Sequence, residues 1–251
     1  MNELVHSLPT KKRATRSAAK KPAGPAVKAT AATRINDPAR TMAGILEVAT
    51  REFAEKGLSG ARIDEIAAAT QTSKRMIYYY FGNKEGLYVA VLEEAYRRMR
   101  AIESEQRLAD LAPEAALRKL VEFTFDHHQG NPDYIRLVMN ENMARGVYLA
   151  QSKTIRELNV PAIQAIRQLY DRGVAEGVFR PGLDPIDIHA SISALTFFNV
   201  SNQHTFGLIF KHDGQTPAAL ATRRHNVVEM IVRFVQFRAI RSRLMPLTSD
   251  G

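Results

Sequence analysis

Apolar residues recur at helical spacing along most of this 251-residue chain. Met42, Ile45, Leu46, Ala49 and Phe53 follow the i, i+3, i+4 pattern that lays one stripe along one helix face. Asp37 is placed to cap that helix, Pro38 tolerates its first turn, and Gly57 supplies a left-handed stop. A short helix is predicted from about Ile63 to Ala69, with Ile63, Ile66 and Ala67 inward, followed by a break at Thr70-Gln71-Thr72. Ser73 then caps "KRMIYYYF", Gly82 ends it, and Asn83 caps a further helix running from Lys84 to about Leu108. Two short helices joined by a tight turn and packed under a longer one describe a helix-turn-helix unit.

The pattern stays helical beyond it. Helices are expected from Pro113 to about Gln129, from about Asp133 onward, and from Lys153 to Gly177. Ile186 to Phe210 reads as one helix and Ala218 to about Leu244 as another, with Val228, Ile231, Val232, Phe234 and Val235 on one broad face. Alternation of period two is essentially absent. The expected fold class is all-α: an N-terminal three-helix helix-turn-helix domain over 36–86, then a helical bundle over 87–251.

Charge changes the picture at one end. The chain carries +9, is 45% hydrophobic and 24% charged, and has no cysteine or tryptophan, which excludes disulfides and thiolate sites. Residues 1–40 hold nine Lys/Arg against two acids, so +7 of the +9 lies in a segment rich in Ala, Lys, Pro and Thr. We expect 1–35 to be a disordered basic arm suited to a polyanion, with nucleic acid first among the candidates. No apolar run is long enough to span a membrane and no export leader is visible, so a cytoplasmic protein without a membrane partner is expected.

The second helix of a helix-turn-helix presents its N-terminal residues to base edges in the major groove. Here those are Ser73, Lys74, Arg75 and Met76: Lys74 and Arg75 can donate to guanine O6 and N7, and Met76 can touch a thymine methyl. Ile77 and Phe81 face inward. Three consecutive tyrosines cannot share that face, so Tyr78 and Tyr80 are expected to offer hydroxyls to phosphate and Tyr79 to pack. Lys84 stands at a helix N-terminus, where free N–H groups already favour a phosphate.

The stretch "IDEIAAATQTSKRMIYYYFGNKEGLY" resembles the DNA-binding signature of the TetR family of bacterial transcriptional regulators, and the chain from about Arg40 onward resembles its architecture. The resemblance implies an all-helical homodimer that binds a palindromic double-stranded DNA operator and dimerises through its last two helices. It also implies a small-molecule effector, commonly one that releases a repressor. Carried over by position, the family's DNA contacts fall on Arg62, Lys74, Arg75, Met76, Tyr78, Tyr80 and Lys84. Two positions depart from the pattern. Gln71-Thr72 stands where Gly-Val is common, which puts a side chain at a left-handed position, and Arg62 replaces the usual Thr/Ser cap. The tail of the signature and "ALTFFNVSN" also resemble, over few residues, the branch containing the pyrimidine-utilisation regulator.

An effector pocket is expected among the helices from Leu87 to Gly177. Met99, Phe123, His127 and Tyr134 are candidates, and Asn140, Met143 and Tyr170 follow. Asn199, Asn202 and His204 are polar groups costly to bury unpaired, and Asn202 joins the pocket candidates. The adjacent His127 and His128 diverge on a helix and match no zinc spacing. No catalytic, dinucleotide, phosphate-loop or zinc motif appears, so neither an enzyme nor a cofactor is expected. A non-specific DNA-coating protein using the basic arm remains the alternative at this point.

Overall fold

Residues 37–236 are described by the structure, a computed structural model, and the basic arm over 1–35 lies outside them. Helix α1 (Pro38–Gly60) starts as its sequence directs, with the Asp37 carboxylate accepting from the Arg40 N–H at 3.2 Å. It buries Ile45, Ala49, Phe53 and Ala54. Gly57 interrupts it at φ +66, ψ 175, a conformation almost confined to glycine, so the expected stop is a kink followed by one more turn. Helices α2 (Ile63–Ala69) and α3 (Lys74–Phe81) follow as read from the sequence.

Helix α4 (Lys84–Ser104) ends a turn before the expected Leu108. Ser104 Oγ donates to the Ala101 carbonyl at 2.7 Å and Gln106 Nε2 to that of Ile102 at 3.0 Å, so side chains take over the last helical carbonyls. Arg107 at φ +51 then turns the chain into a 3₁₀ turn, Leu108–Asp110. Helix α5 (Pro113–Gly130), α6 (Pro132–Met143) and a second 3₁₀ turn (Leu149–Gln151) lead to α7 (Lys153–Ala175).

The single helix expected over Ile186–Phe210 is two: α8 (Pro185–Ser201) and α9 (Gln203–Phe210), broken at Asn202 with φ −108, ψ 3. Ser201 and Asn202 bond to each other through their side chains at 2.7 Å, and α9 buries no residue that would hold it in line with α8. Helix α10 (Pro217–Val235) also stops early, because Gln236 is extended and forms an antiparallel bridge with Phe179. Arg180 N–H takes the Val235 carbonyl at 2.9 Å and Arg180 Nε that of Phe234 at 2.7 Å. The rest of the expected span, 237–244, lies outside the described residues.

Two hydrophobic cores result. Ile45, Phe53, Ile66, Ile77, Leu87 and Tyr88 centre the first, to which Leu137 of α6 and Ile155 of α7 also belong. The second joins α5, α7, α8 and α10 through Leu120, Phe125, Leu169, Ile192, Val228 and Ile231. Phe234 is not on the buried face with its neighbours: it is partly exposed, under the Arg180 guanidinium at 4.7 Å.

Candidate DNA-binding surface and effector cavity

Three local devices place the α3 face. Ser73 Oγ accepts from the Met76 N–H at 3.2 Å, and Asn83 Oδ1 from that of Gly86 at 2.7 Å, so both helix starts are capped. Gly86 lets α4 approach α3, since a Cβ there would collide with the Phe81 carbonyl oxygen. Between α2 and α3 the turn needs a left-handed residue, and Gln71 takes it at φ +52. Thr72 beside it is half-buried.

On α3, Ile77 is fully buried and Phe81 packs partly against the same core. The tyrosines fall out differently from the expectation. Tyr79 is 77% exposed and Tyr78 43%, whereas Tyr80 is half-buried against the core, edge-on to Tyr79 and Phe81. Helical geometry explains it: at about 100° per residue, the position two after Ile77 lies roughly opposite it, and the position three after returns toward it.

The basic residues are held by acids of α1 and α2. Lys74 pairs with Asp64, Arg62 Nε lies 4.0 Å from Glu65, and Lys56 bridges Glu52 and Glu65. Those contacts hold the Lys56 ammonium above and the Glu65 carboxyl below their ordinary ranges. The Arg62 backbone N–H, left without a side-chain cap, goes to Glu52 Oε1 at 3.1 Å. Lys84 Nζ reaches the Ser59 carbonyl at 3.4 Å, and Arg75 and Met76 stand on the same α3 start, Arg75 exposed and Met76 half-buried. Asp64 and Glu65 went unnoticed in the sequence, although their α2 helix adjoins the recognition residues.

Within the bundle a cavity of about 360 Å³ opens between α4, α5, α6, α7 and α8. Of the sequence candidates it gathers Met99 and Tyr134. The rest are elsewhere. His127 lines a crevice on the other side of Tyr134, and Phe123 is tilted against His127 at 5.8 Å. Asn140 Nδ2 is committed to the Phe53 carbonyl at 3.2 Å. Met143 is 75% exposed, and the Tyr170 hydroxyl donates to the Arg180 carbonyl at 2.8 Å while accepting from Leu183 N–H at 2.9 Å. Asn202 lines a separate hollow on the α8–α10 surface, and His204 is exposed.

What sequence reasoning missed is the polar lining: Arg100, Glu103, Thr124, His128, His189 and Ser193. One signal was available. His128 continues the stripe Leu117, Leu120, Val121, Thr124 and Phe125, every member of which is buried. Arg100 and Glu103 form an ion pair, both largely buried. Burial, with the nearby His127, Arg100 and His189 adding to it, pulls the His128 imidazole down to about 4, and burial with Arg100 also lowers His189. Both rings are thus neutral near pH 7. Burial raises the phenols of Tyr134 and Tyr96. Two buried nitrogens at the site, Arg100 Nε and His128 Nδ1, have no hydrogen-bond partner. Among the described residues no three His, Cys, Asp or Glu side chains converge as metal ligands, and no helix is long and apolar enough to cross a membrane.

The far face is apolar and open. Phe198, Phe206, Leu208, Ile209, Phe210 and Met230 of α8–α10 are all exposed, Leu208 at 81%.

A capped recognition helix on a small three-helix core, continued by one long helix into a bundle with a polar cavity, defines a helix-turn-helix transcriptional regulator with a sensor domain. The comparisons with known proteins agree. Residues 45–91 match the model for bacterial regulatory proteins of the tetR family, and 113–231 that for a tetracyclin repressor-like C-terminal domain. The chain is 36% identical over 166 residues to the HTH-type transcriptional repressor NicS of Pseudomonas putida, covering 66% of this chain and 78% of NicS. It belongs to the TetR family. The resemblance to the pyrimidine-utilisation branch is met by the HTH-type regulator RutR of Escherichia coli, 32% identical over 110 residues, 44% of this chain and 51% of RutR. The fold is shared with the ketosteroid transcriptional regulator KstR2 of Mycobacterium tuberculosis, with TM-score 0.59, 19% identity, and 82% of this chain and 98% of KstR2 covered. A tetR-family regulatory protein from Rhodococcus RHA1 aligns at TM-score 0.63 with 20% identity, over 80% and 99% of the two chains.

Proposed function

We propose that the protein acts as a cytoplasmic homodimeric repressor that is released from a palindromic operator when a small effector fills the cavity of its bundle. In this reading 36–86 is the DNA-binding domain and 87–251 senses the effector and dimerises. Arg75, Lys74 and Met76 meet base edges from the start of α3. Tyr78, Arg62 and Lys84 meet phosphates, and the exposure of Tyr79 adds it to them. Tyr80, half-buried, has the smaller share. The open apolar residues of α8–α10 are the surface a second copy would cover, as the last helices do in this family.

The single observation that carries the switch is the continuity of α4. Its capped start bears Lys84 beside the recognition helix, and fifteen and sixteen residues on, Met99 and Arg100 line the cavity. Polar ties hold neighbouring elements to it and to α1: Ser152 Oγ donates to Glu93 Oε1 at 2.6 Å, and Asn140 to the Phe53 carbonyl. A ligand that tilts α4 therefore moves the α3 helices of the dimer, which must be spaced about 34–36 Å apart, or a multiple of that, to meet successive major grooves.

The test is a binding-site selection with the full chain. A palindrome with half-sites at that spacing, retained at raised salt, is expected. Enrichment without sequence preference and with steep salt dependence would instead favour a DNA-coating protein using the basic arm.

A further inference from the structure

The cavity is more specific than a hydrophobic pocket. Aromatic rings stand among its aliphatic lining: Tyr96 and Tyr134 meet edge to face at 5.6 Å, and Phe197 stands edge-on to His128 at 6.2 Å. Tyr134 also lies nearly parallel to the His128 ring at 6.0 Å. Ring faces and edges of this kind suit a planar ring, and about 360 Å³ suits a small one.

Its charge is unbalanced. Arg100 is the cation inside the slot and Arg156, exposed, a second at its edge, while Glu103 is the one carboxylate in the lining. Glu103 takes Arg100 through one terminal nitrogen, Nη1, and leaves Nε buried and unpaired. An unpaired guanidinium N–H away from water is costly, and an anionic oxygen is the partner that best satisfies its planar fork. His128, 95% removed from solvent, leaves Nδ1 without a partner as well. Both imidazoles are neutral, so they hydrogen-bond a ligand without adding positive charge.

We infer that the effector is a small planar organic monoanion, held with its carboxylate on Arg100 and with a ring O–H or N–H against the imidazole of His128. The inference rests on the proposal that this cavity is the effector site, and it adds the ligand's chemical class. Glu103 has a second role in it: by holding Nη1 it turns the remaining edge of the guanidinium toward the ligand, and its own negative charge excludes dianions.

The experiment measures direct binding to the full chain, with no DNA present, using 4-hydroxybenzoate and its neutral isostere 4-hydroxybenzamide in titration calorimetry. The acid is expected to bind at least about tenfold more tightly than the amide. The double variant Arg100→Gln with Glu103→Gln, which leaves neither charge unpaired in the slot, should abolish that preference while keeping the helical signal and thermal midpoint. Equal affinity for acid and amide on the unaltered chain would overturn the inference, whatever the variant does. So would a preference that survives the double substitution, or no binding of either compound up to about 10 mM. The readout separates this from the switch: if the acid binds through Arg100 but leaves operator affinity unchanged, release by this cavity fails and the ligand class stands. Release of operator by a neutral ring compound would do the reverse.

Discussion

Buried polar side chains divide the molecule in two. In the region built from α1–α3 and the start of α4, the fully buried side chains are hydrocarbon or aromatic, and polar groups sit at helix ends as caps: Asp37, Ser73 and Asn83. Among the described residues, all five buried polar ones, Thr124, His128, Glu141, Ser152 and Thr196, lie further along the chain. Three of these have ordinary structural duties. Thr124 and Thr196 return their hydroxyls to carbonyls one turn back, and Ser152 caps α7. His128 and Glu141 instead keep an unpartnered atom. The first region holds one shape for a rigid ligand, DNA, and a dry core serves that purpose. Of the two unpartnered residues only His128 lines the cavity, where a ligand can supply the missing partner; Glu141 lies beside Tyr88 of the first core and accepts from the Leu149 N–H with its other oxygen.

The comparison can be broken most severely in the dry core. Phe53 is fully buried against Tyr88, ring centroids 5.1 Å apart, and Phe53→Ala should cost about 3–5 kcal/mol through lost burial and a cavity. Chemical denaturation measures it, and a loss below about 1 kcal/mol would show that this core collapses around the gap, contrary to its tight packing.

The wet region has an acid weakness seated in a buried imidazole. The His128 imidazole falls from the ordinary 6.5 to about 4 on folding, so the unfolded chain binds more protons between these values and stability drops as pH falls through that window. Two and a half units correspond to about 3 kcal/mol, fully present above pH 6.5 and lost toward pH 4. His127 and His189, also lowered, act in the same direction. His128→Gln should flatten the curve of unfolding free energy against pH between 4 and 6.5; an unchanged slope would place the acid sensitivity elsewhere.

A smaller effect sharpens the role of the recognition helix. Arg75→Ala should weaken operator binding by about 1–3 kcal/mol and relax base preference at one position of each half-site. Lys84→Ala should weaken binding to all sequences alike. Repeating the site selection with each variant separates the two, and an unchanged motif with Arg75→Ala would remove Arg75 from base reading.

The smallest concerns the turn. Gln71 holds φ +52, where a glycine has no steric penalty, so Gln71→Gly should raise stability by at most about 1 kcal/mol with no change in the helices. A lower melting temperature would mean that the Gln71 side chain makes a stabilising contact that outweighs the backbone strain.

Elements with their own start and stop chemistry were legible from the residues alone. Asp37-Pro38, Ser73 and Asn83 announce three helix starts, Gly82 one end and Gly57 a break one turn before the end of α1, because capping and glycine conformations are decided within four or five residues. The inward face of α2 and α3 followed from periodicity in the same local way, as did the base-edge candidates at the start of α3. Tyr79 was expected to pack although the information to the contrary was local, since the angle from Ile77 already turns it outward.

Other features depend on groups far apart in sequence. The early end of α10 is imposed by Arg180, more than fifty residues away, whose backbone N–H and Nε take the last two carbonyls, while Gln236 lies extended in a bridge with Phe179. The break at Asn202 depends on α9 finding no core to join. The cavity is the clearest case. Arg100, His128 and His189 come from α4, α5 and α8, each an unremarkable polar residue on its own helix, and only packing shields them from water and brings them to one cavity. Helical periodicity says which face a residue occupies and nothing about which other face it will meet. By itself, then, the chain determined most of its helix starts, its helix-turn-helix and its family, because these rest on short-range hydrogen bonding and side-chain spacing. Desolvation, the unpaired nitrogens and the charge of the cavity were decided by tertiary structure, because burial is a property of several helices at once.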